Sequence, residues 1–174
     1  MSIQKFKDDF KAAADVFKKM FVVFNPDTKN IDREINSGDC GVFALAVGSV
    51  LSDRGHDFSY VDNLNYGFIQ FVDEDGVSHA FDSANYDGCS IADMNERWQA
   101  AEGTALDFKG MCDAYVPCDV KGAYMIKVVL DSFEVPVPTE IQTIFANELD
   151  YEIDIYVNKY RGAAAIALAK IKGQ

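Results

Sequence analysis

The stretch "CGVFALAVGSVLSDRG", Cys40 to Gly55, is apolar on nearly every side when wound as a helix. A helix without a polar face has to be enclosed by the rest of its chain, so the fold must be built around this element. Asp39 or Ser37 is placed to cap its start and Gly55 to end it. Upstream, Ile3, Phe6, Phe10, Ala13, Phe17, Met20 and Phe24 recur three or four apart, which predicts an amphipathic helix with one apolar stripe. "NPDTKNIDREINSGD" between the two reads as a loop rich in turn residues. Downstream, "YGFIQFV" and "VSHAF" have the aromatic and β-branched content of strands, joined as a hairpin by "DEDG". If that turn pairs Val72 with Val77, His79 lies across from Gln70 and Asp82 across from Gly67. His79 and Asp82 then point to opposite faces.

"SIADMNERWQAAEG" predicts a helix opened by Ser90 and Asp93 at capping-box spacing and stopped at Gly103. In the last third, "GAYMIKVVLDSF" reads as a strand broken by "VPVP", and "TEIQTIFANELD" as a helix opened by Thr139 and Gln142. "YEIDIYV" alternates as a strand does. In "AAAIALAKI" alanine favours helix while the alternation and the preceding "NKYRG" favour a strand, and strand is the reading taken. The expectation is one α+β domain over residues 1–174. The N-terminal helix and the cysteine-bearing helix pack on an antiparallel sheet, and residues 120–171 extend that sheet.

At 174 residues and 49% hydrophobic composition, the chain can bury a core without covalent staples. No stretch reaches the roughly 18 to 20 apolar residues of a membrane span, and "MSIQKFKDDF" lacks the apolar block of a signal peptide, so a cytoplasmic protein off the membrane is expected. Acidic residues outnumber basic ones 28 to 16, a net charge of −12. That field repels phosphates, which argues against nucleic acid and favours a partner with a basic surface. The cysteines at 40, 89, 112 and 118 are irregularly spaced and read as thiols. Oligomeric state leaves no mark in the sequence.

Cys40, in the first turn of the enclosed helix, supports two readings. A thiol reacts as its thiolate, which a helix N-terminus favours, and Gly38 and Gly41 would let a substrate approach and free amides to hold an oxyanion. Equally, cysteine is a common core residue, and the Asp39 carboxylate beside it opposes ionisation. A nucleophilic cysteine needs a base and a group to orient it. Of the two histidines, His56 reads as a solvated loop residue, whereas His79 stands on a strand with Asp82 and Asn85 shortly after it.

"SGDCGVFALAVGSVL", followed by a hairpin with a histidine and an acid, resembles the papain-like thiol peptidase superfamily in its broad sense, including small thiol-hydrolase-like proteins of bacteriophages. The resemblance spans about residues 36 to 90. It implies a papain-like core and the order cysteine, histidine, then Asp or Asn, which maps onto Cys40, His79, and Asp82 or Asn85. Asn36 is the nearest substitute for the amide that precedes the family's cysteine, and with it Gly41 and Gln70 are the candidate oxyanion or binding groups, Gln70 standing beside Asn85 as a group to orient His79. The family histidine often begins the first hairpin strand, where this chain has Asn65 and Tyr66. Two functions follow as expectations. One is a cysteine hydrolase cleaving a peptide or isopeptide-type amide. The other is a catalytically decayed relative, an acidic protein that engages or inhibits a basic protein partner.

The remaining patterns point to no cofactor. Cys89, Cys112, Cys118 and His79 are ligand types for zinc but lack paired Cys-x-x-Cys knuckles. The acids of "DEDG" and "ELDYEID" lack the alternating oxygen ligands of a calcium loop. Trp98 reads as core, and no glycine-rich phosphate loop follows a strand.

Overall fold

The enclosed helix lies at the centre of the molecule, and the other elements wrap it. The computed structural model describes residues 2–98, 103–116, 119–147 and 154–173. Helix α1 (Ile3–Phe24) is capped by Ser2, whose hydroxyl accepts the Lys5 N–H, and it buries Phe6, Phe10, Phe17, Met20 and Phe21 along the expected stripe. Full burial of each such aromatic contributes about 1.5–3 kcal/mol.

The segment before Cys40 departs from the expected loop. α2 (Ile31–Glu34), one π turn (Ile35–Asp39) and α3 (Cys40–Asp53) follow one another without a break. The helical start is capped at Asn30, which accepts from the Arg33 N–H at 3.1 Å. Neither expected cap operates. Asp39 makes no capping hydrogen bond, and Ser37 Oγ donates back to the Arg33 carbonyl at 2.6 Å.

Every residue of α3 from Cys40 to Leu51 is buried. Tyr60 packs so closely on Gly48 that a Cβ there would stand 2.4 Å from its hydroxyl. Joined through the π turn, Ile31–Asp53 is a 23-residue helix with an 18-residue window of mean hydropathy 1.3, long and apolar enough by length and composition to cross a bilayer; 78% of that window is buried inside the fold. Its apolar surface faces α1 and the sheet instead.

The sheet contains β1 (Ser59–Asp62), β2 (Gly67–Val72), β3 (Ser78–Asp82), β4 (Asn85–Cys89) and β5 (Thr104–Leu106), in the order β4-β3-β2-β1-β5. All neighbouring strands are antiparallel. The β2–β3 hairpin forms where expected, but its register is one residue off the Val72–Val77 pairing. Asp73 N–H donates to the Val77 carbonyl, Val72 pairs with Ser78, and His79 lies across from Phe71 rather than Gln70. The cause is the turn. Asp73 Oδ1 accepts the N–H groups of Asp75 and Val77, and Gly76 takes φ +77°, the left-handed residue that closes a three-residue loop.

One face of the sheet presents Tyr60, Ile69, Phe71 and Phe81 to a helical layer of α1, α3 and α6. The other presents Val61, Phe68 and Ala80, which cluster with Cys40, Tyr66, Met94 and Trp98. α4 (Ile91–Arg97) is capped by Ser90 as expected and ends at Trp98, short of Gly103. α5 (Phe108–Tyr115), capped by Asp107, follows β5.

Among the described residues of 120–171 the expected sheet extension is not formed. "GAYMIKVVLDSF" lies in α6 (Val120–Ser132), and α7 (Thr139–Asn147) is the helix expected there. "AAAIALAKI" lies in α8 (Asp154–Lys172), which also takes in the second half of "YEIDIYV"; residues 151–153 fall outside the described ones. These helices pack among themselves and on α1 and α3. The result is one α+β domain, as the sequence predicts, with its added mass in the helical layer.

Candidate functional site around Cys40

The π turn sets the position of Cys40. Because the helix runs on past it, the thiol has no free helix N-terminus beneath it, and it is only 5% exposed. Its Sγ lies 3.5 Å from the Gly67 N–H at the start of β2. Burial pushes the Cys40 thiol above its ordinary pKa; the amides of Gly67, Gly41 and Cys40 itself pull the other way without overcoming it, and the Asp39 carboxylate adds to the rise. Asp39 is itself held protonated to higher pH by burial.

Tyr66 packs in the cluster that holds Cys40, and Asp82 is bonded to Tyr66. Tyr66 Oη donates to Asp82 Oδ2 at 2.9 Å, and its ring stacks on Trp98 with centroids 4.3 Å apart and planes at 15°. Asp82, 1% exposed, also accepts the Ala84 N–H at 2.8 Å and the Asn85 side-chain amide at 2.5 Å. Burial, the Asp82 carboxylate and a nearby Cys40 thiolate all push Tyr66 far above the ordinary phenol range. Tyr66 therefore keeps its proton and holds it toward Asp82. It cannot accept one from Cys40.

The side of Cys40 left open by small residues is filled from α5. A Cβ on Gly41 would stand 2.0 Å from the Tyr115 ring, and one on Gly67 would meet Met111 at 2.4 Å and Tyr115 at 3.1 Å. The expectation that Gly41 leaves room for a substrate is corrected here: Tyr115 occupies that room. Its hydroxyl donates to Asp62 Oδ1 at 2.7 Å. Gly38 has open space around it.

The other sequence candidates divide in two. Asp82 and Asn85 come together as described, and Asn36 joins the neighbouring segment, its Oδ1 accepting from the buried Ser83 hydroxyl at 2.8 Å. His79 and Gln70 do not join them. Strand alternation puts His79 on the face of Phe81, opposite Asp82, and its Nε2 is bonded to Asp73 Oδ2 at 2.8 Å in the hairpin turn. Gln70 donates to Ser78 Oγ at 3.1 Å across the hairpin. His56, expected in solvent, is instead buried against the edge of Phe6, with Nε2 2.7 Å from Asp9.

Tyr66 stands beside Asn65 at the start of the first hairpin strand and was visible in the sequence, whereas Tyr115 comes from a distant helix and leaves no local signal. The zinc reading does not assemble. Cys112 is buried in α5, Cys89 lies on β4, Cys118 falls outside the described residues, and among the described residues no group of three or more His, Cys, Asp or Glu gathers. No family model, curated protein or solved structure matches this chain.

Proposed function

We propose that this chain is a cytoplasmic, non-catalytic protein that keeps a papain-like arrangement of cysteine, hairpin and acid, and that it works by engaging a basic protein partner. The observation that carries the reading is Tyr66. Where thiol hydrolysis needs a base, the chain has a buried phenol that donates its proton to Asp82. Both histidines are held elsewhere by carboxylates, His56 by Asp9 and His79 by Asp73. With no base beside it and Tyr115 over it, Cys40 serves packing. The net charge of −12 supports a basic partner, because opposite charge raises encounter rates and selects partners.

The second reading is hydrolysis of a peptide or isopeptide-type amide by Cys40, with His79 as base. In its favour, the Gly67 N–H lies 3.5 Å from the sulfur, a bond that favours the thiolate. It ranks second because it requires Tyr115 to leave and His79 to act from the other face of the sheet. Iodoacetamide treatment of the native protein with peptide mapping separates the two. The binding reading expects Cys40 to stay unmodified at neutral pH, in wild type and His79→Ala alike. Fast Cys40 alkylation that slows in His79→Ala would give the site to the hydrolase.

A further inference from the structure

Gly41 and Gly67 border Cys40, the one following it in α3 and the other donating its N–H to the sulfur at 3.5 Å. Neither has the positive φ that glycine alone adopts readily, and glycine weakens helix and strand alike. What they supply is space. A Cβ at Gly41 would run into the Tyr115 ring, and one at Gly67 would meet Met111 and press on the same ring at 3.1 Å. The two glycines thus leave a slot beside the thiol that admits an aromatic ring, and Tyr115 fills it.

Tyr115 is held differently from the helix that carries it. α5 is anchored in the core by Met111 and Cys112, both buried, and by Val116 just past its end. Tyr115, its last residue, is only half-buried. Its polar tip is fixed by the bond to Asp62 Oδ1, an oxygen that also accepts the Leu64 N–H at 2.9 Å, and Asp62 is itself half-buried. The ring can therefore turn out toward solvent by breaking one hydrogen bond and leaving the slot, while the rest of α5 stays where it is.

We propose that Tyr115 is a latch on Cys40: its ring closes the slot between Gly41 and Gly67, its bond to Asp62 keeps it there, and release of this one side chain exposes the sulfur with α5 still docked. The inference goes beyond the binding reading, which has Cys40 inert, by naming the contact that keeps it so. An unlatched Cys40 is open to reagents and still has no base beside it.

The test is iodoacetamide labelling of the native full chain at one fixed pH, with peptide mapping of Cys40 and Cys112. Tyr115→Ala should speed Cys40 labelling about tenfold or more, as exposure of a covered thiol does. Tyr115→Phe, which keeps the ring and loses the bond to Asp62, should speed it about fivefold, the worth of one hydrogen bond. Cys112, buried on the same helix, should stay slow in both. Added p-cresol, the tyrosine side chain as a free molecule, should refill the slot of Tyr115→Ala and slow Cys40 again while leaving wild type unchanged. Unchanged Cys40 labelling in Tyr115→Ala, or fast labelling that p-cresol does not slow, overturns the latch. Cys112 quickening together with Cys40 also overturns it, because α5 as a whole has then loosened. Tyr115→Phe labelling at the wild-type rate overturns Asp62 as the group that holds the ring. Fast Cys40 labelling in wild type overturns the latch, and it reaches the binding reading only where His79→Ala slows it.

Discussion

The helix-covered face of the sheet and the face around Cys40 are buried to similar depth and built on opposite principles. On the first, Phe71 stacks on Phe6 at 4.3 Å and Phe81 lies 5.0 Å from Phe6 and 5.2 Å from Phe10, all four rings nearly inaccessible. On the second, a thiol, a phenol and a carboxylate are enclosed with Phe68, Ala80 and Trp98. The first is held by area and packing. The second tolerates a buried carboxylate because Tyr66, Ala84 and Asn85 all donate to it. The polar face is thus organised around an acceptor, Asp82, and not around a nucleophile.

Perturbing each face in turn sharpens the contrast. The largest loss is expected on the apolar one: Phe81→Ala leaves a cavity under α1 and should cost about 3–5 kcal/mol in urea unfolding. Asp82→Ala should cost somewhat less, about 3 kcal/mol, because Tyr66 Oη, the Ala84 N–H and the Asn85 amide lose one shared acceptor while little volume is removed. If Asp82→Ala were neutral, the polar face would be ordinary packing and the comparison would fail.

How much of this was legible follows the same division. The apolar face could be read because its residues repeat with clean periods: the α1 stripe at three and four, and the β2–β3 hairpin at two. α6 escaped because it is buried almost all round, from Gly122 to Leu130 apart from Lys127, so no polar face marks its helical period and its Val and Ile content mimics a strand. In α8 the small alanines blur the pattern in the same way. β1 and β5, of four and three residues, are too short to announce themselves. At the site, Cys40, Asp82 and Asn85 were named from the sequence, and the separation of His79 from Asp82 was legible there too. His79 is three residues from Asp82 on a strand, and an odd separation puts the two on opposite faces whatever the register.

Tyr66→His tests whether the polar face lacks only its base. An imidazole there is expected to accept the Cys40 proton and lean on Asp82, so Cys40 alkylation at neutral pH should rise about tenfold, the effect of lowering the thiol by one pKa unit. Tyr66→Phe, which removes the bond to Asp82 without adding a base, should leave Cys40 as slow as in wild type. Equal reactivity in the two variants would show that opening space beside the thiol, not supplying a base, is what matters.

The smallest effect belongs to His79→Ala. The hydrogen bond from His79 comes first among the causes that hold Asp73 below its ordinary pKa, followed by the Val77 amide. A carboxyl lowered in the folded state contributes stability above its unfolded pKa, about 4, and loses it as pH falls through the folded value. His79→Ala removes the leading cause, so the acid limb of the stability profile should move slightly, while neutral-pH stability and Cys40 alkylation stay as they are. The pair is partly exposed at the tip of a hairpin, where such contacts are weak. A His79→Ala variant that altered Cys40 chemistry while the acid limb stayed fixed would tie the two faces of the sheet together and reverse the assignment of His79 to the turn.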